Sequence, residues 1–172
     1  MILFYYILKV CGSYANCFRE IYKEKGGAGM VGILIATHGC FAEGLLNAVE
    51  LIAGKQEKAK TIGLYHGDGI EELEQKIRTA IKELDDGDGV LAFVDILGGS
   101  PSNMVMKCMA DMKNFKAIAG VSMGMVVQAA MMRDQCSLDE LTDLCEEAGN
   151  QPVVLLHKQY EEMLNDTDMD EI

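Results

Sequence analysis

The sequence predicts an α/β domain, an open, mainly parallel sheet with helices on both faces. Three observations carry that prediction. Short apolar runs of strand length recur at Val31–Thr37, Lys60–Tyr65, Gly89–Val94 and Lys116–Val121, each closed by a turn signal. Between them lie segments of helical length with apolar residues three and four apart. Strands that alternate with helices build a parallel sheet wrapped on both sides. No internal repeat or long linker interrupts residues 30–157, which read as one domain.

The elements follow in order. Val31–Thr37 is apolar and partly β-branched, as a strand buried on both faces must be, and it ends abruptly in His38 and Gly39. Ala42, Leu45, Leu46, Val49 and Ile52 then mark one face of a helix. After the strand Lys60–Tyr65, Asp68 and Gly69 lead into a helix with Leu73, Ile77, Ile81 and Leu84 on one face. The Asp85-Asp-Gly-Asp-Gly89 cluster reads as a solvated turn rather than a metal site. Gly89–Val94 is the third strand and stops at Asp95. A methionine-rich helix is expected over Asn103–Lys113, a fourth strand over Lys116–Val121 and a helix over Met123–Arg133. Ser137-Leu-Asp-Glu140 has the spacing of a capping box and opens a fifth helix. Val153–Leu156 is expected as a C-terminal edge strand open to a second chain. Residues 158–172 form an acidic tail, frayed from Asn165 onward, without the glycine and closing glutamate of a calcium loop.

Two of these strand ends carry chemistry. In open parallel sheets ligands collect beyond the carboxyl ends of the strands, where His38 and Asp95 both fall. Side by side, an Asp carboxylate accepting the Nδ1 proton would leave Nε2 of the imidazole free as a nucleophile. The segment Ile96-Leu-Gly-Gly-Ser-Pro-Ser-Asn103 adds a third component. Its glycines admit a ligand close to the backbone, Ser100 reads as a helix N-cap, and Pro101 suits the first turn. A helix N-terminus there favours a phosphoryl group. Taken alone, His38 reads equally well as a turn residue making local hydrogen bonds, and Gly98–Asn103 as an ordinary capped turn. The combination favours a phosphoryl-handling site.

Together these pieces resemble enzyme IIA of the mannose class of the bacterial phosphoenolpyruvate-dependent sugar phosphotransferase system. The matching segments are Ile33–Gly39, Ala42–Leu46, Gly54–Glu57, Val94–Asn103, Ile118–Val121 and Leu141–Gly149, in order and spacing across residues 30–154. The resemblance implies a cytoplasmic phosphorelay in which the carrier HPr phosphorylates His38 at Nε2, with Asp95 as the orienting carboxylate. Gly39, Gly98, Gly99 and Ser100 would hold the phosphoryl oxygens. The group would pass to a IIB component that serves the membrane components IIC and IID, with no cofactor and no metal. The resemblance also implies a homodimer, formed in some members by exchange of a C-terminal strand. Two departures bear on the docking surface rather than on the acceptor. Ser102 stands where the family is aromatic or bulky, and Ser122 and Gly124 replace Asn and Pro. Two related uses of such a domain are a phosphoryl carrier for dihydroxyacetone kinase and a phosphorylation-sensed regulatory binding module. The first usually lacks the full Gly-Gly-Ser-Pro segment.

Composition narrows the partners. A net charge of −12 disfavours nucleic acid, whose phosphates need basic patches, and suits a basic protein partner reached by electrostatic steering. Six cysteines without metal-ligand spacing read as reduced cytosolic thiols, mostly packing residues, although Cys40 lies two residues from His38 and would expose the site to oxidation. His66 reads as a turn residue and His157 as a surface or interface residue; the twelve methionines read as core filler. Residues 1–29 fit no element of the domain. Ile2–Leu8 is apolar but too short to span a membrane and lacks a basic segment before it. A non-native or disordered extension is expected, with translation beginning at Met30, because Glu24–Gly29 can be encoded by a ribosome-binding sequence. A short membrane-surface anchor is the competing reading.

Overall fold

A computed structural model describes residues 29–167, so the expected N-terminal extension lies outside the described residues except for Gly29. Four strands, β1 (Gly32–His38), β2 (Ala59–Leu64), β3 (Val90–Val94) and β4 (Phe115–Ala119), form one parallel sheet in the order β2-β1-β3-β4. Among the described residues six helices accompany them: α1 (Phe41–Ala53), α2 (Ile70–Leu84), α3 (Ser100–Cys108), α4 (Met123–Met132), α5 (Leu138–Gly149) and α6 (Leu156–Thr167). The open parallel sheet expected from the sequence is therefore present.

Strand alternation divides the core between the two faces. Ile33, Ile35, Leu91 and Phe93 pack with Ala42, Leu45 and Val49 of α1, Val126 and Ala129 of α4, and Leu141 and Cys145 of α5. Leu34, Ala36, Val90, Ala92 and Val94 pack on the other side with Leu73, Ile77, Ile81 and Leu84 of α2 and Val105 and Cys108 of α3. Both central strands are thus buried on both faces, which is why their sequences are continuous apolar runs. Each fully buried large aliphatic or Phe side chain contributes about 1.5–3 kcal/mol relative to exposure.

Chain order reverses at β1. The chain leaves β1 outward to β2, then returns across the sheet to β3, with Ala36 opposite Val94. Such a switch point opens a crevice at the carboxyl ends of β1 and β3.

Several turn and cap readings are present in detail. Asp85 Oδ1 accepts the amides of Gly87 and Gly89, both at 3.0 Å, so the Asp-Gly cluster is a turn built on its own backbone. Ser137 and Glu140 form both halves of a capping box. Ser122, a departure from the family pattern, caps α4 by accepting from the Met125 amide at 3.4 Å.

Other expectations need correction. The helix placed at Asn103–Lys113 runs instead from Ser100 to Cys108, because Pro101 is accepted in a first turn and the chain tightens into i-to-i+3 bonds after Met106. The edge strand expected at Val153–Leu156 does not form. Residues 151–155 have no regular structure, and the amides of Lys158 and Gln159 turn back onto the Leu155 carbonyl to start α6. A strand needs a neighbour to pair with, whereas a helix satisfies its backbone locally. The boundary expected between 157 and 158 falls inside that helix. Ile52, placed on the buried stripe of α1, is 51% exposed. Met125 is buried and Met104, Met112 and Met132 pack against the core, but Met106, Met109, Met123 and Met131 are exposed, so core filling accounts for only part of the described methionines. No helix among the described residues is long and apolar enough to cross a membrane.

Candidate functional site

His38 is the last residue of β1 and Asp95 the first after β3, so the pairing of these two neighbouring strands sets the two residues side by side. His38 Nδ1 lies 2.8 Å from Asp95 Oδ2, and the His38 amide donates to the same oxygen at 2.9 Å. Asp95 Oδ1 accepts from the Ile96 amide at 2.9 Å. The carboxylate side chain is 12% exposed and the imidazole 44%. Burial alone would raise the Asp95 pKa, but the His38 amide, the His38 ring and the Ile96 amide together hold it below the ordinary carboxylate range. An ionised Asp95 only accepts, so Nδ1 is the donor, and in the neutral ring Nε2 then carries the lone pair. The arrangement can hold a nucleophilic nitrogen in one orientation.

The turn that opens α3 fits around this ring. A methyl group added at Gly99 would stand 2.9 Å from His38 Cε1 and 3.5 Å from Nε2. Gly99, not Ser100, is therefore the N-cap of α3, and no side chain caps it. The Ser100 cap expected from the sequence is corrected on this ground, because the cap position faces the imidazole and has no room for a side chain. Gly98 adopts φ +82°, which glycine alone adopts readily. Its amide donates to Ser102 Oγ at 3.4 Å and its carbonyl accepts from Asn103 Nδ2 at 3.1 Å. Ser102 is 2% exposed, so the departure at this position ties down the glycine turn from below.

Of the four residues expected to hold phosphoryl oxygens, three already have acceptors for their amides. Gly39 donates to Leu64 O at 2.8 Å, Gly98 to Ser102 Oγ, and Gly99 to Ile96 O at 3.1 Å. Ser100 differs. Its amide precedes the first helical bond of α3, from Asn103 N to Gly99 O, and Pro101 has no amide to offer. The carboxyl-terminal half of α3 is fixed to α2 by Glu74, which binds Arg78 and Lys107, while Arg78 also reaches Asp111. Lys107 and Arg78 hold the Glu74 pKa down against its burial.

Thr37 carries a role that the sequence reading missed. It is fully buried, and its Oγ1 accepts from the Ala42 amide at 2.8 Å, which supplies the cap that Cys40 does not. A hydroxyl at the end of an otherwise apolar strand, followed by a helix without a capping residue, is the signal that could have found it. Tyr65 and Gly63 also border the turn after His38. Cys40 is exposed beside the site, whereas Cys108, Cys136 and Cys145 are buried; burial pushes the Cys145 thiol up to about 12. His66 and His157 are exposed, the latter on α6. Among the described residues no group of three or more His, Cys, Asp and Glu is placed to hold a metal ion.

Residues 32–145 match the EIIA-man family model, described as PTS system fructose IIA component. The chain is a member of the EIIA-man family. It is 39% identical over 127 residues to the mannose-specific EIIAB component of the phosphotransferase system of Escherichia coli K12, a match that takes in 73% of this chain. The same match spans only 39% of that relative's length. The fructose-specific EIIA component of Bacillus subtilis strain 168 is 28% identical over 112 residues, 65% of this chain and 77% of the relative. Among solved structures, the EIIA component of Streptococcus agalactiae superposes with a TM-score of 0.69 at 26% identity, covering 75% of this chain and 99% of that one. The EIIA-man match encloses β1 through most of α5, and therefore both His38 and the Asp95–Asn103 turn.

Proposed function

We propose that this chain is a phosphohistidine relay protein of sugar uptake. His38 Nε2 takes a phosphoryl group from HPr and passes it to a IIB component, which serves the IIC and IID membrane components. The observation that most supports this reading is the pair of bonds from His38 to Asp95 Oδ2, which leaves Nε2 as the available nucleophile. As the P–Nε2 bond forms, the phosphorus–nitrogen bond to the donor breaks and the donor imidazole departs with its electron pair. His38 keeps its Nδ1 proton, and the positive charge that grows on the ring is met by Asp95. The same geometry runs in reverse toward the acceptor. Ser100, through its amide and hydroxyl, carries the largest share of binding the phosphoryl oxygens, while Gly39, Gly98 and Gly99 shape the space around them. A cytoplasmic site of action and a homodimer belong to the same reading. The exposed apolar run Val153–Leu156 suits association with a second chain.

The test is phosphoryl uptake from phosphoenolpyruvate in the presence of enzyme I and HPr. Acid-labile phosphate on the parent chain and none on His38→Ala is the expected result. An unlabelled parent chain, under conditions that phosphorylate HPr, refutes the reading.

A further inference from the structure

A second cluster borders the histidine on the side away from Asp95. β2 lies beside β1 with Leu64 opposite His38 and Gly63 opposite Thr37. Gly63 has no room for a side chain. A methyl group there would stand 2.3 Å from the Gly39 carbonyl oxygen, and 2.7 and 2.9 Å from Cε2 and Cζ of Tyr65. The Tyr65 ring and the Gly39 carbonyl thus converge over the same glycine. The ring occupies the space that a side chain at position 63 would fill, beside the turn that follows His38.

Tyr65 is tied at both ends. Its amide donates to Asp68 Oδ2 at 2.9 Å, and its hydroxyl donates to the Glu43 carboxylate at 3.1 and 3.2 Å. Partial burial of the ring, which remains 46% exposed, and then the bond to Glu43 raise the pKa of the phenol. Glu43 belongs to the first turn of α1, so one side chain links the end of β2 to the start of the helix after His38. The turn it spans needs such a link. Gly39 sits at φ +56°, and a glycine turn has many alternative conformations to suppress.

We propose that Tyr65 is a positioning residue for His38: its ring, seated over Gly63 and tied to Glu43, holds the His38–Gly39 turn in the geometry that the bond to Asp95 requires. This rests on the relay reading for its consequence in rate, but not for its consequence in structure. Two measurements on the full chain separate these. Long-range proton–nitrogen NMR of the His38 ring reports which ring nitrogen carries the proton and needs no partner. Single-turnover transfer from phosphorylated HPr gives the saturating rate and the half-saturating donor concentration.

Tyr65→Ala is expected to turn a single Nδ1-protonated tautomer into a mixture. It is expected to lower the saturating rate about tenfold or more, with the half-saturating concentration changed by less than about twofold. Tyr65→Phe keeps the ring, loses one hydrogen bond and is expected to cost about threefold. An unchanged tautomer in Tyr65→Ala overturns the proposal. So does a rise in half-saturating concentration at an unchanged rate, which would make Tyr65 a docking contact. Equal losses in the two variants would place the effect on the hydroxyl and also overturn it. If thermal melting shows Tyr65→Ala unfolded, Tyr65→Leu, whose side chain ends short of the Cε2 and Cζ positions over Gly63, takes the same measurements with the same expected and overturning results. A parent chain that HPr does not phosphorylate refutes the relay alone, and the tautomer measurement still decides the role of Tyr65.

Discussion

Replacing Gly99 with alanine adds one methyl group at the N-cap of α3. The backbone there has φ −69° and ψ 164°, a conformation open to alanine, so the main chain bears no strain. The methyl would stand 2.9 Å from His38 Cε1 and 3.2 Å from the Ile96 carbonyl oxygen. Carbon atoms rest at about 3.5–4.0 Å, so the imidazole must retreat by roughly 0.5–1 Å. That movement comes at the expense of the 2.8 Å bond to Asp95. A hydrogen bond to a charged group is worth about 1.5–3 kcal/mol. Its partial to complete loss slows phosphoryl uptake by about fivefold to hundredfold, at about 1.4 kcal/mol per factor of ten. The assay is single-turnover labelling from phosphorylated HPr, with urea denaturation alongside. Stability is expected to fall by no more than about 1.5–3 kcal/mol, the contribution of this bond, because the site is near the surface and the ring is the part that moves. A folded Gly99→Ala chain labelled within about twofold of the parent rate would refute the claim that this contact sets the orientation of the ring.

Three further expectations rest on other contacts. The Asp95 pKa is lowered on folding, so its stabilisation is complete above the unfolded value of about 4 and is lost as pH falls through the lower folded value. Asp95→Asn removes this contribution, so the difference in urea midpoint between parent and variant should shrink below about pH 4 in a pH series. Ser102→Ala leaves the Gly98 amide without its acceptor and should cost about 1 kcal/mol in urea denaturation. Ser137→Ala breaks the capping box of α5 and should cost about 0.5–2 kcal/mol, seen as a lower melting temperature, while phosphoryl uptake at room temperature is unchanged.

The strands and the His38–Asp95 pair were legible because both depend on patterns local to the chain. A buried parallel strand must be continuously apolar, so the residue at which apolarity stops marks its carboxyl end; His38 and Asp95 stand at two such stops. Contacts made across the fold left no such mark. Ser100 has the residue type of an N-cap, but Gly99 takes that place because the imidazole of another strand lies against it. Thr37 looks like one more β-branched strand residue until α1 is seen to need its hydroxyl. Tyr65 reads as the end of an apolar run, and only the neighbouring glycines reveal where its ring goes. Val153–Leu156 has strand composition but becomes irregular chain leading into a helix, because composition does not supply a pairing partner.

One oxygen of Asp95 receives two bonds from a single residue, the amide and the ring nitrogen of His38. The atoms between those donors close a small loop through the oxygen, which fixes both torsions of the histidine side chain. A ring clamped in this way has its orientation set before any group is loaded on it. On the proposed relay, phosphorylation would add the bulk of a phosphoryl group at Nε2 and a charge of about −1.5 to −2 units near neutral pH. A partner that must bind one form and release the other would then read that bulk at contact and that charge from a distance. Its power to tell donor-ready from spent carrier should weaken as added salt shortens the reach of that charge.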